Sequence, residues 1–584
     1  MKKAVVILVT IAAIMVAPMV ALAQGPGEGG PIVEGNFGGS TNFGAMNPLR
    51  NNDTATNEYT DLLFPSVIGA SPYTQDYARV GEDGVFSALA TDWDVSEDGL
   101  VYTVSLRDDA KWTDGEPLTA EDVKFAFDAV ASGQIDAPLY GWLNYDPAGN
   151  PLGISAINII DDYTIEAVFE QASCTALGTV GSLRPVPAHV FGYDGSEDFD
   201  FSVMVDHEFD TGPSVAYGPF QFAQFIPGEA VSASAVTDWN EGPVIPSGFI
   251  YTDVPDQTVL VEQFLAGQTN YLEGAPVERR QDLREAPGVV VEDFPGNAWD
   301  YMAFNLADPE NPQPGRDADG NPIDQGVHPI FSDVRVRRAI QHAINVPEII
   351  EGAVFGEGSQ MAANMIPTSW AYDSTLEAIA YDPDMAAQML DEAGWPVGPD
   401  GVRVCQGCMY AEDGTPFEFT LITNQGNTRR ESIGVIIQDA LFELGINVDF
   451  QAVDFQTLLD TTFGAQTFDA FILGWQEGFP SDPDQIQLFH SSNDDPSNQA
   501  SNVTSYYNPE FERLAVEANT VPGCDPEERA AIYHQIQRIL QEDQPYVWLF
   551  VQNLMYAASE DVVNFEPYAN VPMWNVHNWV ISAQ

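Results

Sequence analysis

Leu106-Arg107-Asp108-Asp109-Ala110-Lys111-Trp112-Thr113-Asp114-Gly115-Glu116-Pro117-Leu118-Thr119-Ala120-Glu121-Asp122-Val123 is the stretch from which the fold is read. Leading into it, Tyr102, Val104 and Leu106 alternate with Thr103, Ser105 and Arg107, the period of a half-buried strand. Thr113-Asp114-Gly115-Glu116-Pro117 is turn chemistry. Thr119 with Asp122 then makes a capping-box pattern, and Val123, Ala126, Phe127 and Val130 recur at helical spacing. The segment reads strand, turn, capped helix.

The same grammar continues downstream. Val336, Ala339, Ile340, Ala343 and Ile344 form one helical face after Ser332. Asp382-Pro383 is an N-cap with proline at the first helical position, and Ala386, Met389, Leu390 and Ala393 follow as a face that Gly394 ends. Ile433, Ile436, Ile437, Ala440, Leu441 and Leu444 make another, stopped by Gly445; Ile446, Val448 and Phe450 then alternate as a strand. Phe468 to Leu473 reads as a buried strand with Trp475 directly after it. Asp525-Pro526 with Glu528 caps a helix bearing Ile532, Ile536, Ile539 and Leu540, and Tyr546 to Val551 is strand-like. Helices interleaved with short strands predict an α/β architecture.

At 584 residues, with 45% apolar and 18% charged side chains, the chain is long enough for two or three lobes. Lys2 and Lys3, the apolar run Ala4 to Val20 and Ala21-Leu22-Ala23 before Gln24 predict a cleaved signal peptide over residues 1–23, an uncleaved anchor being the alternative. No Cys follows the run, so a lipobox anchor is not expected. The formal net charge is −66, and −68 without the two signal lysines, which leave only Lys111 and Lys124. Such a surface repels phosphate backbones and excludes nucleic acid as a partner. The acidity is dispersed rather than blocked and fits solvation in high salt better than a ligand signal.

Motifs for chemistry are missing. The seven histidines are scattered; there is no His-Glu-x-x-His, no Gly-x-Ser-x-Gly and no phosphate-binding Gly-Lys-Ser/Thr loop. Gly25-x-Gly27-x-x-Gly30 has no strand before it and no helix after it. Asp317, Asp319, Asn321 and Asp324 lack the spacing of a calcium loop and read as a solvated acidic loop within residues 308–330. Cys405-Gln406-Gly407-Cys408 has no second close Cys pair and no neighbouring His, so a local disulfide or two free thiols is preferred to zinc. Pairing of Cys174 with Cys524 is open. No metal and no cofactor is expected, and a secreted hydrolase or a surface-layer component remains only as a remote alternative.

The chain resembles the large extracellular solute-binding proteins of ABC importers, family 5, which serve peptides, nickel and oligosaccharides. The resemblance is carried by Met46-Asn47-Pro48-Leu49, Leu89 to Leu100, the opening stretch, Gly218-Pro219-Phe220, Asp333 to Ile340, Tyr381-Asp382-Pro383 through Trp395, Phe468-Asp469 with Gly474-Trp475, and Asp482-Pro483, in that order. It implies a two-lobed periplasmic-binding-protein clamp, α/β, of the type II-like large three-domain variant. Residues 24–60, 216–298 and 555–584 would form lobe I, 61–215 an inserted domain II, and 299–554 lobe III. It also implies a non-enzymatic monomer in the periplasm or at the cell surface. Such a protein takes a peptide, or alternatively an oligosaccharide, to the transmembrane subunits of an ABC permease.

Peptide-binding members of the family carry an Asp shortly after the Gly-Trp, pairing with the α-ammonium group. Here Gly474-Trp475-Gln476-Glu477-Gly478-Phe479-Pro480-Ser481-Asp482-Pro483 looks one residue longer, and the expected position falls near Gly478, with Glu477 a possible substitute. The candidate substrate-binding residues are therefore Trp475 and Glu477 first, with Asp482, Phe43 and Tyr217.

Overall fold

The computed structural model describes residues 29–581, apart from 37–44, 52–53, 75, 82–87, 138–152, 197, 255–256, 479, 481, 485 and 499. The signal segment, most of the Gly25 to Gly30 motif and Phe43 lie outside the described residues.

The chain opens with β1 (Ile32–Asn36) and then makes four strands that form a sheet of their own, β2 (Ala90–Val95), β3 (Val101–Leu106), β4 (Ile154–Asp161) and β5 (Thr164–Phe169), in the order β2-β3-β5-β4. It returns as β6 (Phe220–Ile226), β7 (Ala230–Ala235), β8 (Gly248–Asp253), β9 (Tyr271–Glu273) and β10 (Val289–Phe294). Residues 295–297 carry it across to β11 (Ala298–Phe304), β12 (Gly358–Gln360), β13 (Glu418–Asn424), β14 (Asn447–Val453), β15 (Ala470–Gln476) and β16 (Tyr546–Gln552). Asn553 carries it back to β17 (Leu554–Ser559). The first large sheet has the order β10-β17-β9-β1-β8-β7-β6, and the second β12-β16-β11-β15-β13-β14. The two crossings touch: a Cβ on Gly296 would sit 1.8 Å from the Gln552 carbonyl oxygen, so this position requires glycine.

The helices form where local chemistry asks for them. Those that bear on the site and its caps are α1 (Thr54–Asp61), α2 (Ala120–Ala131), α3 (Val334–Ala343), α4 (Pro383–Glu392), α5 (Thr428–Glu443), α6 (Pro509–Asn519) and α7 (Pro526–Asp543). Thr119 and Asp122 form the reciprocal capping box of α2, while Asp382 and Asp525 cap α4 and α7, each with proline in the first turn. Gly394, at φ +91°, ends α4. No helix among the described residues is long and apolar enough to cross a membrane.

One apolar core joins the seven- and four-stranded sheets, running from Ile32, Tyr271 and Ala558 through Phe64, Trp112 and Phe125 to Val104 and Ile165. The six-stranded sheet is buried on both faces. Met302, Phe304, Ile472 and Leu549 pack to one side, and Trp299, Tyr301, Phe471 and Trp548 to the other. Such double burial explains why β16 reads as an unbroken apolar run rather than an alternation. One expectation needs correcting: the strand predicted at Phe468 to Leu473 spans Ala470–Gln476, so Trp475 lies inside it. Antiparallel pairing with β11 extends the ladder to Trp299↔Trp475 and Ala298↔Gln476.

Two disulfides are present, Cys405–Cys408 and Cys174–Cys524. The second joins the loop after β5 to the turn between α6 and α7, and the Cys174 amide donates to the Asn519 carbonyl at 2.8 Å.

Candidate functional site

Strand direction locates the site. β1 runs parallel to β8 and β9, while β17 is antiparallel to both β9 and β10. The carboxyl ends of β1, β8 and β9 therefore lie at the same end of the sheet as the carboxyl end of β10, where the chain crosses over. In the second sheet β11 starts at the crossing and pairs antiparallel with β15 and β16, and β13 is parallel to both β14 and β15. So β13, β14, β15 and β16 all end there too. Two sheets thus present carboxyl ends toward a shared junction, the position at which open α/β sheets bind ligands.

On the side of the six-stranded sheet, Trp475 is half-buried within an aromatic ladder. Its ring stacks on Tyr301 at 6.1 Å, Tyr301 stacks on Tyr546 at 4.2 Å, and the indole Nε1 donates to the Tyr546 hydroxyl at 3.4 Å. Glu477, just beyond the strand, is half-buried and fastened to the crossing. Its amide donates to the Asn297 carbonyl at 3.0 Å, and Asn297 Nδ2 donates to the Glu477 carbonyl at 2.9 Å. Trp299 Nε1 donates to Glu477 Oε1 at 3.1 Å. Burial pushes the Glu477 carboxyl up to about 7, with the Asp482 charge adding to it. Next to this group, Asp300 at the start of β11 is buried and paired with Arg429 Nε at 2.8 Å and Arg430 Nε at 3.1 Å, both from the first turn of α5.

The structure separates the remaining candidates. Asp482 is committed to Arg529, whose Nη2 donates to both carboxylate oxygens at 2.9 and 3.0 Å. The Tyr77 phenol is pushed up by burial first and by the charge of Asp482 second, so this residue of the segment before β2 stands beside Asp482. Tyr217 is elsewhere. It is buried in the core shared by the two smaller-numbered sheets, edge-on to Trp112 at 5.1 Å and to Phe64 at 6.2 Å, and its hydroxyl donates to the Pro65 carbonyl. Packing by partners distant in sequence takes it away from Trp475.

Sequence reasoning missed an acidic group on the opposite side of the junction. Glu34 on β1, Glu58 on α1 and Glu273 on β9 gather around Tyr251, Tyr271 and Tyr556. The only signal in the chain was Glu34 in Ile32-Val33-Glu34, a carboxylate on the same face of a strand as a core isoleucine. Burial, then the charge of Glu273 and of Glu58, pushes Glu34 well above the usual carboxylate range. Burial, then Glu58, pushes Glu273 up to about 8.

Raised carboxyls give a pH dependence with a definite sign. An unfolded glutamate releases its proton near pH 4.5, whereas folded Glu273 and Glu477 hold theirs to about 8 and about 7. Above pH 4.5 the unfolded state binds fewer protons, so this contribution to stability is present in full below that pH and declines up to pH 8. The guanidinium unfolding midpoint should therefore fall between pH 5 and pH 8, and fall less steeply in Glu273→Gln. A flat midpoint in the parent protein would refute this.

Comparison with known proteins matches residues 84–497 to the family model described as bacterial extracellular solute-binding proteins, family 5 Middle. The oligopeptide-binding protein AppA of Bacillus subtilis is 26% identical over 559 residues, covering 95% of this chain and 92% of AppA. The structure of that protein in complex with a nonapeptide superposes with a TM-score of 0.73 at 23% identity, over 96% of this chain and 100% of the other. NikZ from Campylobacter jejuni in complex with Ni(L-His) superposes with a TM-score of 0.70 at 19% identity, over 94% and 99%.

Proposed function

Because the chain belongs to the bacterial extracellular solute-binding proteins of family 5, we propose that it captures a peptide between its lobes and delivers it to the transmembrane subunits of an ABC importer. It is a transport binding protein and not an enzyme. The observation that carries the reading is the pair of sheets meeting at their carboxyl ends across two touching chain crossings, an arrangement suited to hinged closure over a ligand. In this reading residues 24–60, 216–298 and 555–584 make lobe I, 61–215 the inserted domain and 299–554 the facing lobe. Support comes from the seven-, four- and six-stranded sheets, whose strands fall within those limits to within a residue or two. The protein works as an exported monomer, free of the membrane once its signal is removed.

Peptide is preferred to oligosaccharide on the strength of Glu477. A half-buried carboxylate with one oxygen held by Trp299 keeps a second oxygen for an ammonium group. Trp475 supplies a flat aromatic edge beside it. Asp482 contributes indirectly, by holding Arg529. Native mass spectrometry of protein purified without refolding should reveal a mixture of peptide masses, and hexose increments would favour the sugar reading. With a defined peptide, Glu477→Gln should weaken binding by about 1–3 kcal/mol. Trp475→Ala should be the costlier change if the ligand is a sugar. A ligand at 100 times its Kd adds about 2.7 kcal/mol of stability. A broad peptide library that leaves the melting temperature unmoved would overturn the proposal.

A further inference from the structure

Glu34 is 3% exposed, and its Oε2 accepts no hydrogen bond. A buried carboxylate in that condition costs several kcal/mol unless it keeps a proton or meets a cation. Phenols and two further glutamates surround Glu34. β-Register sets Glu34 opposite Tyr251 on β8 and Tyr271 on β9, so the three side chains share one face of the sheet. Tyr251 donates its hydroxyl hydrogen to Glu58 Oε2 at 2.9 Å, and Tyr271 donates to Glu273 Oε2 at 3.1 Å. Glu273 is in turn opposite Tyr556 on β17. Trp579 braces Tyr271 edge-on at 5.3 Å, with Phe565 behind it at 6.0 Å.

Tyr251 and Tyr271 both donate toward a carboxylate, which aligns dipoles with negative charge and adds none of the opposite sign. Neither Glu34 nor Glu273 takes part in an ion pair among the described residues. No group of three or more His, Cys, Asp or Glu among the described residues has the arrangement to hold a metal ion. The recess lies on strands whose carboxyl ends reach the junction, on the side opposite Trp475 and Glu477. Phenol faces add cation–π attraction to the charge.

We propose that the Glu34, Glu58 and Glu273 recess of the first sheet takes an organic cation of the captured solute, an ammonium or a guanidinium. The inference deepens the peptide reading and rests on it for the identity of the ligand. A cation there would favour the ionised form of carboxyls that burial and mutual repulsion otherwise hold protonated, as Glu34 and Glu273 are held. Specificity arises because a neutral solute leaves the same groups without a counter-charge.

Four pentapeptides of one sequence test it by calorimetry, with lysine or norleucine at the variable position and with a free or acetylated amino terminus. The parent protein is compared with the Glu34→Gln/Glu273→Gln double variant. Lysine over norleucine should gain at least tenfold in the parent and no more than twofold in the variant, which assigns the cation to a side chain. A tenfold preference for the free terminus that vanishes in the variant supports the recess equally and assigns the cation to the α-ammonium group. Ratios within twofold throughout the parent, or an unchanged preference in the variant, overturn the proposal while leaving peptide capture standing. If no peptide binds, peptide capture fails and agmatine carries the test. Stabilisation of the parent over the variant then supports the recess, and an equal effect on both overturns it. An unfolding transition of the variant at least as high as the parent's at pH 8 shows that the amides have not disturbed the fold.

Discussion

Arg337→Met should lower the unfolding free energy by about 4 kcal/mol, read as an earlier guanidinium midpoint at unchanged slope. Arg337 projects from α3 and is 6% exposed. Its Nε donates to the carbonyls of Asp543 at 3.0 Å and Gln544 at 2.9 Å, its Nη1 donates to that of Phe331 at 2.6 Å, and its Nη2 reaches Asp543 as well. The guanidinium thus closes the carboxyl end of α7, where carbonyls have no partner within the helix. Burial pulls its pKa down to about 10, still far above neutrality, with the Asp543 charge opposing the fall. Methionine fills the volume and restores none of the donors, so several buried oxygens are orphaned together. Lysine should recover only part of the loss, since one ammonium does not span three carbonyls in a fixed fork. A change below 1 kcal/mol would mean that water satisfies these groups.

Cys174→Ser with Cys524→Ser should cost about 4 kcal/mol. The bridge closes a ring of 350 residues in sequence separation. Loop entropy alone gives ~6 kcal/mol for such a ring, and native bridges deliver about 2–5. Cys405→Ser with Cys408→Ser, which opens a ring with a separation of 3, should cost about 2 kcal/mol at most. Non-reducing unfolding of the two double variants beside the parent checks both. Equal losses from the two would show that chain entropy is not the source.

Features governed by neighbours in sequence were legible from the chain. The capping box at Thr119 and Asp122, the Asp-Pro starts of α4 and α7 and the alternation of β3 each depend on residues within one turn or one strand, and all are present. Ordered family segments supplied the fold class, which propensity alone could not have assembled. Features created by pairing across the chain were not legible. Trp475 belongs to a ladder because Tyr301 and Tyr546 arrive from two other strands, and nothing near residue 475 announces them. Tyr217 went to a core for the same reason, through Phe64 and Trp112. Glu34 and Glu273 were two among 87 acidic residues until the register of β1 and β9 set them around Tyr271. Asp482 is taken by Arg529, which lies 47 residues further along the chain and leaves no mark near residue 482.

The Cys174–Cys524 bridge also has a mechanical meaning. The seven- and four-stranded sheets share a core and form one body, and the six-stranded sheet forms the other. The backbone pins them together at the touching crossings of residues 295–297 and Asn553, and the bridge pins them again outside both crossings, with its Cα atoms 5.4 Å apart. Both ties are covalent and survive any movement of one body against the other, while the Arg284–Glu357 ion pair at 2.8 Å is a third, breakable one. Movement of the two bodies is thereby confined to paths that keep Cys174 beside Cys524, whatever solute lies between the sheets.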